Sequence, residues 1–404
     1  MTHREFNGAR LRLGRIFQGL TTSSLGEKIG VSHSFIVQLE TGVRNASPGL
    51  LDAISEQLGF APDFFFLPLN DEFQEENVFF RKRKTTLVSV RNRALAHGTL
   101  FGSFVTYLDN AIHLPELQIP TIRVTDRESI ERAAEMCRSH WGLTLNGPIN
   151  NMVRVLENNG VVVTRFNAGA EKIDAFSRFG SRHVVVLNLD KGSTSRTRYD
   201  GGHECGHLVM HEGLAIGTAL DDELETQADQ FASAFLLPRI AFAREFPKGQ
   251  KLDWPALFKL KQRWKVSLAA IIRRAYDLHL ITASEYQRAY KYMCAHDWRK
   301  REPFEPDEES VELVPLAVEK LKQLTGFYPE DIARKLYWTP EVFEKVTGIA
   351  AAKPPKKQTS DEGPDADIIS IEDARRALWG RCELCRAVCG IACRAARAAV
   401  RATH

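Results

Sequence analysis

The chain has 404 residues, 44% hydrophobic and 26% charged, and 54 basic side chains against 51 acidic ones leave a net charge of +3. That length exceeds what one ordinary core fills, so two or three domains are expected, and the near balance of charge removes any argument for nucleic-acid binding from bulk electrostatics. No segment approaches the ~18 uninterrupted apolar residues of a membrane span, the opening Met1-Thr2-His3-Arg4-Glu5-Phe6 has no apolar signal core, and an odd total of 7 cysteines argues against a disulfide framework; a soluble, cytoplasmic protein without a membrane partner is expected.

Residues 1–69 read as an all-α domain of short helices punctuated by Gly19, Gly30, Gly42, Pro48 and Gly59 and closed by the apolar run Phe64-Phe65-Phe66. Residues 20–40 have the grammar of a helix-turn-helix. One helix ends at Gly30, which permits the tight turn, and Ser32 caps the next. Ile29, Val31, Ile36 and Leu39 hold the two helices together. Ser32, His33, Ser34 and Gln38 are then placed to face base edges of an operator duplex, and Arg44 and Asn45 to touch phosphate. Six basic and six acidic side chains within residues 1–67 cancel, which is weak electrostatics for DNA. A protein-interaction or dimerisation module is the alternative, and DNA binding through a dimer or through the basic stretch near Arg81 would reconcile the two.

Residues 70–125 turn from acidic to basic at Arg81-Lys82-Arg83-Lys84 and continue as a helical connector. Residues 126–245 combine helical spacing at 128–141 and 147–159 with β-branched runs at 161–163 and 183–187, an α+β pattern. Residues 246–350 are expected to be helical, including a piece over 303–348, and residues 351–404 to be a linker followed by a Cys/Arg-rich tail.

The chemistry concentrates at His203-Glu204-Cys205-Gly206-His207. On a helix the two imidazoles, four residues apart, share one face and can reach a single ion, with Glu204 beside them as general base and acid. Zinc needs a third protein ligand and an open position. Glu225 supplies a candidate at the start of a second helix marked by Ala228, Phe231, Ala232, Phe235 and Leu236. Asp229, one turn later, can hold a ligand histidine in its tautomer. His211 reads as a satisfied helix-end histidine. Cys205 points off the metal face.

Two resemblances follow from these residues. Leu20-Thr21, Leu25-Gly26-Glu27-Lys28-Ile29-Gly30-Val31-Ser32 and Gln38-Leu39-Glu40-Thr41-Gly42 resemble the Cro/C1-type (XRE-type) repressor domain, with Gly26 where that family usually has Ala and Thr22 where it often has Gln. Ile173-Asp174-Ala175-Phe176-Ser177, the 203–211 segment, and Glu225-Thr226-Gln227-Ala228-Asp229-Gln230-Phe231-Ala232 followed by Leu236-Leu237-Pro238 resemble the ImmA/IrrE family of bacterial zinc metallopeptidases, with Gly202 where a larger helix former is common. The resemblance implies a zincin-like metallopeptidase fold for 126–245, Zn2+ held by His203, His207 and Glu225, Glu204 as catalytic acid/base, and a protein substrate such as a partner repressor. A repressor-type domain of this kind usually acts as a homodimer. Fusions of the two modules also include regulators without demonstrated proteolysis, so a zinc domain that senses a ligand or holds structure is the second reading. In the tail, Cys382, Cys385, Cys389 and Cys393 form one helical stripe among arginines; this reads as a small-residue face or basic tail, since one continuous helix does not readily wrap four ligands around an ion.

Overall fold

The computed structural model describes residues 5–69, 78–80, 88–166, 175–188, 192–214, 221–249 and 252–351. The four tail cysteines, Arg81–Lys84 and Ile173-Asp174 lie outside them. Four helices open the chain: α1 (Gly8–Phe17), α2 (Thr22–Ile29), α3 (His33–Glu40) and α4 (Pro48–Leu58). Thr21 and Ser24 cap α2 reciprocally, Gly30 closes it in the left-handed region at φ 75°, and Ser32 caps α3 by accepting the Phe35 amide. A Cβ at position 26 would stand 2.6 Å from the Val31 carbonyl oxygen, so glycine rather than alanine lets this turn close as tightly as it does.

A short strand β1 (Val78–Phe80) and the long α5 (Val88–Ile112) follow, then α6 (Arg127–His140) and α7 (Met152–Asn158). Strands β2 (Val162–Phe166), β3 (Ala175–Arg178) and β4 (Val184–Asn188) lead into α8 (Thr194–Met210) and α9 (Asp221–Leu236). The sheet order is β1-β3-β4-β2, with β2 parallel to β4 and the other pairs antiparallel. The remainder is helical: α10 (Arg239–Glu245), α11 (Trp254–Trp264), α12 (Leu268–Asp277), α13 (Ala283–Ala295), α14 (Leu313–Thr325), α15 (Pro329–Lys335) and α16 (Pro340–Thr347). No described helix is long and apolar enough to cross a membrane.

The sheet separates two cores, and its strands are apolar on both faces for that reason. Val162, Phe166, Phe176, Val184 and Val186 face a core that takes in α1 to α4, α5 and the C-terminal α14 to α16. Val163, Ala175, Val185 and Leu187 face a second core built on α6 to α13. Helices of the 246–350 region thus divide between the two. The helix-turn-helix end is tied to the C-terminal helices through the backbone, Ala61 N donating to Tyr337 O and Thr339 N to Gly59 O.

The segment expected to be helical from 303 starts its helix only at Leu313. Its carboxylates explain why. Glu302 accepts the Leu268 amide, Glu305 that of Ser195, and Glu309 those of Met152 and Val153, so an extended run caps the N-termini of α12, α8 and α7, where negative charge is favoured. Lys261, fully buried, bridges Glu302 and Glu305 at 2.8 and 2.6 Å.

Candidate metal centre and nucleic-acid face

Helix α8 crosses α9 closely because the residues between them are small. A Cβ on Gly206 would lie 3.1 Å from Phe231, and one on Gly202 would be 3.4 Å from the Cβ of Ala232. The unexpected Gly202 is therefore half of a small-residue pair at i and i+4 that brings Glu225 to the histidines. His203 Nε2 and His207 Nε2 are 3.0 Å apart, and each stands 3.3 Å from an oxygen of Glu225.

That triangle is a fit test for the metal. Zinc bonds to nitrogen and oxygen of about 2.0–2.1 Å in a tetrahedron require ligand atoms about 3.3 Å apart, close to the sides observed. Among the described residues, these three are the group of donors able to hold an ion. Cys205 is buried in the core beneath, its thiol pushed well above the usual range by burial, and is no part of it.

The outer nitrogens are held in turn. His203 Nδ1 is 2.9 Å from Asp229 Oδ1. His207 Nδ1 is 2.9 Å from His211 Nδ1, whose Nε2 is 3.0 Å from Gln227 Oε1, and the Gln227 amide donates to Glu223. This chain has one consistent proton assignment. Gln227 offers its oxygen, so His211 carries its proton on Nε2 and accepts on Nδ1; His207 then donates from Nδ1 and keeps Nε2 bare for an ion. His211 is fully buried, caps the C-terminus of α8 as a satisfied helix-end histidine, and is in addition a link in the site.

Electrostatics follow burial and charge. Burial would lower the His203 pKa, but hydrogen bonds to Asp229 and Glu225 raise it to about 10. Burial pushes His207 down to about 3 and His211 to about 4. Burial would raise Glu225, but its bonds to both histidines bring it to about 2. Glu204 is fully buried, and desolvation lifts its carboxyl to about 8, with Ser177 on β3 tempering the rise. Neither Glu204 Oε2 nor Ser177 Oγ reaches hydrogen-bonding geometry with a partner among the described residues.

At the other end, Ser32, His33 and Ser34 are exposed on the first turn of α3, Gln38 is half-buried, and Arg44 and Asn45 are exposed just beyond its C-terminus. Arg44 lies over the Phe35 ring, 5.1 Å from its centroid. Two of the domain's arginines face inward instead. Arg15 grips Glu40 in a two-pronged pair at 2.5 and 2.9 Å, and Arg10 donates to the Pro68 carbonyl at 2.6 Å. The cancelling count of charges therefore includes groups that fix α1 against α3.

The comparisons with known proteins divide the chain the same way. Residues 156–276 match the peptidase M78 family model, described as an IrrE N-terminal-like domain, and residues 11–65 match the helix-turn-helix model. Two relatives come from Sinorhizobium fredii (strain NBRC 101917 / NGR234). "Uncharacterized HTH-type transcriptional regulator y4aM" is 34% identical over 67 residues, 17% of this chain and 47% of the relative. "Uncharacterized HTH-type transcriptional regulator y4wC" is 37% identical over 59 residues, 15% of this chain and 41% of the relative. The match thus spans less than half the length of either curated relative. Residues 11–65 of this chain form a helix-turn-helix domain of the XRE type, and residues 156–276 form an IrrE N-terminal-like domain of the M78 peptidase family.

Proposed function

We propose that the protein is a bacterial cytoplasmic transcriptional regulator that binds an operator duplex as a homodimer and carries a zinc-dependent endopeptidase, which cuts a partner repressor or related protein. The observation that carries the enzymatic half is the buried Glu204, with one carboxylate oxygen unengaged, beside a three-donor triangle of zinc dimensions. Bound by His203, His207 and Glu225, zinc would supply a polarised carbonyl and a water of lowered pKa. Glu204 Oε2 is the atom to receive the proton from the attacking water and return it to the leaving amine. Asp229, and His211 with Gln227, keep the two ligand histidines in the tautomer that leaves Nε2 bare. A purely sensory or structural zinc site has no use for a buried carboxyl beside the ion with an oxygen left open to water.

The test is zinc content and repressor cleavage of the protein beside Glu204→Gln. Cleavage by the unaltered protein alone supports the endopeptidase; full zinc in both with no cleavage favours the sensor, and zinc in neither removes the site.

Two metal-binding results are expected. His211→Ala removes the acceptor for His207 Nδ1 and should weaken zinc by roughly 10–100-fold, read by chelator competition; unchanged affinity would return His211 to a packing role. In addition, His203 with its pKa near 10 is protonated at neutral pH without metal. Zinc must displace that proton, so apparent affinity should rise by about tenfold per pH unit between pH 6 and 8, and a flat profile would contradict the assignment.

On DNA, Arg44→Ala should weaken binding to all duplexes alike and flatten the salt dependence by about one unit of slope. Gln38→Ala should instead relax preference at one base pair by about 1–3 kcal/mol. A fluorescence titration across salt and single-base operator variants separates the two, and loss of neither would favour the protein-interaction reading.

A further inference from the structure

The residues between the helix-turn-helix and the metal domain contribute β1, and its position in the sheet is unusual for a connector. β1 pairs antiparallel with β3 in the register Val78 to Arg178, Phe79 to Ser177 and Phe80 to Phe176. Without β1, β3 would be the sheet's edge. Ser177, at the centre of that pairing, lies beside the Glu204 carboxyl, so β1 runs one strand spacing, about 4.8 Å, outside the strand that borders the general base. An exposed strand edge binds an extended peptide through the same backbone hydrogen bonds that a further strand would make. A protein substrate needs such a seat, because a peptide bond reaches a metal centre only as an extended, unfolded segment.

Two features of β1 mark it as replaceable. It pairs over three residues where β2 and β4 pair over five. Its flanks in the sequence, Glu75-Glu76-Asn77 and Arg81-Lys82-Arg83, are charged and polar, without the β-branched or aromatic residues that favour a longer strand. The next described element, α5, packs in one core with the helix-turn-helix, so whatever moves β1 acts close to the DNA-binding domain.

We propose that Val78–Phe80 occupies the substrate edge of β3 in the resting protein, and that an extended segment of the substrate enters by displacing it. This rests on the endopeptidase reading for its purpose, but strand exchange can be measured without cleavage. The probe is a fluorescein-labelled peptide of this chain's residues 75–83, added to the zinc-loaded full-length protein in a Glu204→Gln background. The double substitution Val78→Pro with Phe79→Pro removes an N–H from the ladder whichever of the two residues donates to β3.

The proline variant should bind the peptide at least tenfold more tightly than its parent. Hydrogen exchange should show those amides among residues 176–178 that face β1 losing protection in the variant and regaining it with peptide, while the alternate ones that face β4 keep theirs. Phe80→Gly, milder for folding, should move both readouts in the same direction by less. Equal peptide affinity in all three proteins, or undiminished protection of the β1-facing amides within 176–178 in folded proline variant, would overturn the proposal. Tighter binding by the variants together with a Glu204-intact protein that cuts no repressor would leave the strand exchange standing and remove only the peptidase reading.

Discussion

Glu204→Gln is expected to abolish cleavage of the partner protein, lowering the rate by about 10²–10⁴-fold, while zinc content stays that of the unaltered protein. The size follows from what the substitution leaves in place. Gln has the same shape, and the three donors of the triangle, His203, His207 and Glu225, are untouched. The loss is confined to the proton carrier. Stability supplies an independent readout. The Glu204 carboxyl has a folded-state pKa of about 8 against the ordinary 4.5, so between these values the unfolded chain releases a proton that the folded one keeps. Metal-free protein should therefore lose stability as pH rises from about 4.5 to 8 through this group, and Glu204→Gln should remove that part of the slope. Denaturant titrations at pH 5 and pH 8 check it. A variant that loses zinc along with activity would instead mean that Glu204 supports the metal.

The candidate metal site was legible in the sequence to the extent that helix geometry alone brings its donors together. Residues four apart share a face wherever a helix forms, so His203 with His207, and Glu225 with Asp229, follow from spacing once the apolar stripe of Ala228, Phe231, Ala232 and Phe235 identifies the second helix. His211 obeys the same spacing and reads as a satisfied helix-end histidine; its link to His207 depends on Gln227, and nothing local states that α9 packs in the register that joins them. The sheet divides similarly. β2 and β4 are β-branched runs and were expected; β3 reads Ala-Phe-Ser-Arg and β1 has three residues, too short and too weakly patterned to separate from loop. The capping glutamates 302, 305 and 309 were hidden for another reason, since their spacing of three and four is that of a helix face. Their partners are helix termini more than a hundred residues earlier for Glu305 and Glu309, and only the fold reveals that the carboxylates hold backbone amides instead of solvent. The docking of α14 to α16 on the helix-turn-helix end is of this kind too, because an amphipathic helix announces an apolar face but not its partner.

Arg274→Met should cost about 3–5 kcal/mol of folding stability, the largest thermodynamic effect expected of a substitution away from the metal. Arg274 on α12 is almost completely buried, as is Glu131 on α6, and the two form a two-pronged pair at 2.5 and 2.8 Å. Removing one partner leaves a carboxylate in a dry interior with no counter-charge, which is dearer than never having buried the pair. The double variant Arg274→Met with Glu131→Leu should accordingly recover most of the loss; a double variant as unstable as the single one would place the cost in packing and not in charge. The consequence reaches the metal centre through one further bond. Arg274 Nε donates to the carbonyl of Leu237 at 3.0 Å, one residue past the end of the helix that carries Glu225 and Asp229. In the double variant this carbonyl loses its donor while the charge problem is relieved, so stability and zinc affinity should part: the first restored, the second still reduced to the extent that α9 has been freed at its far end.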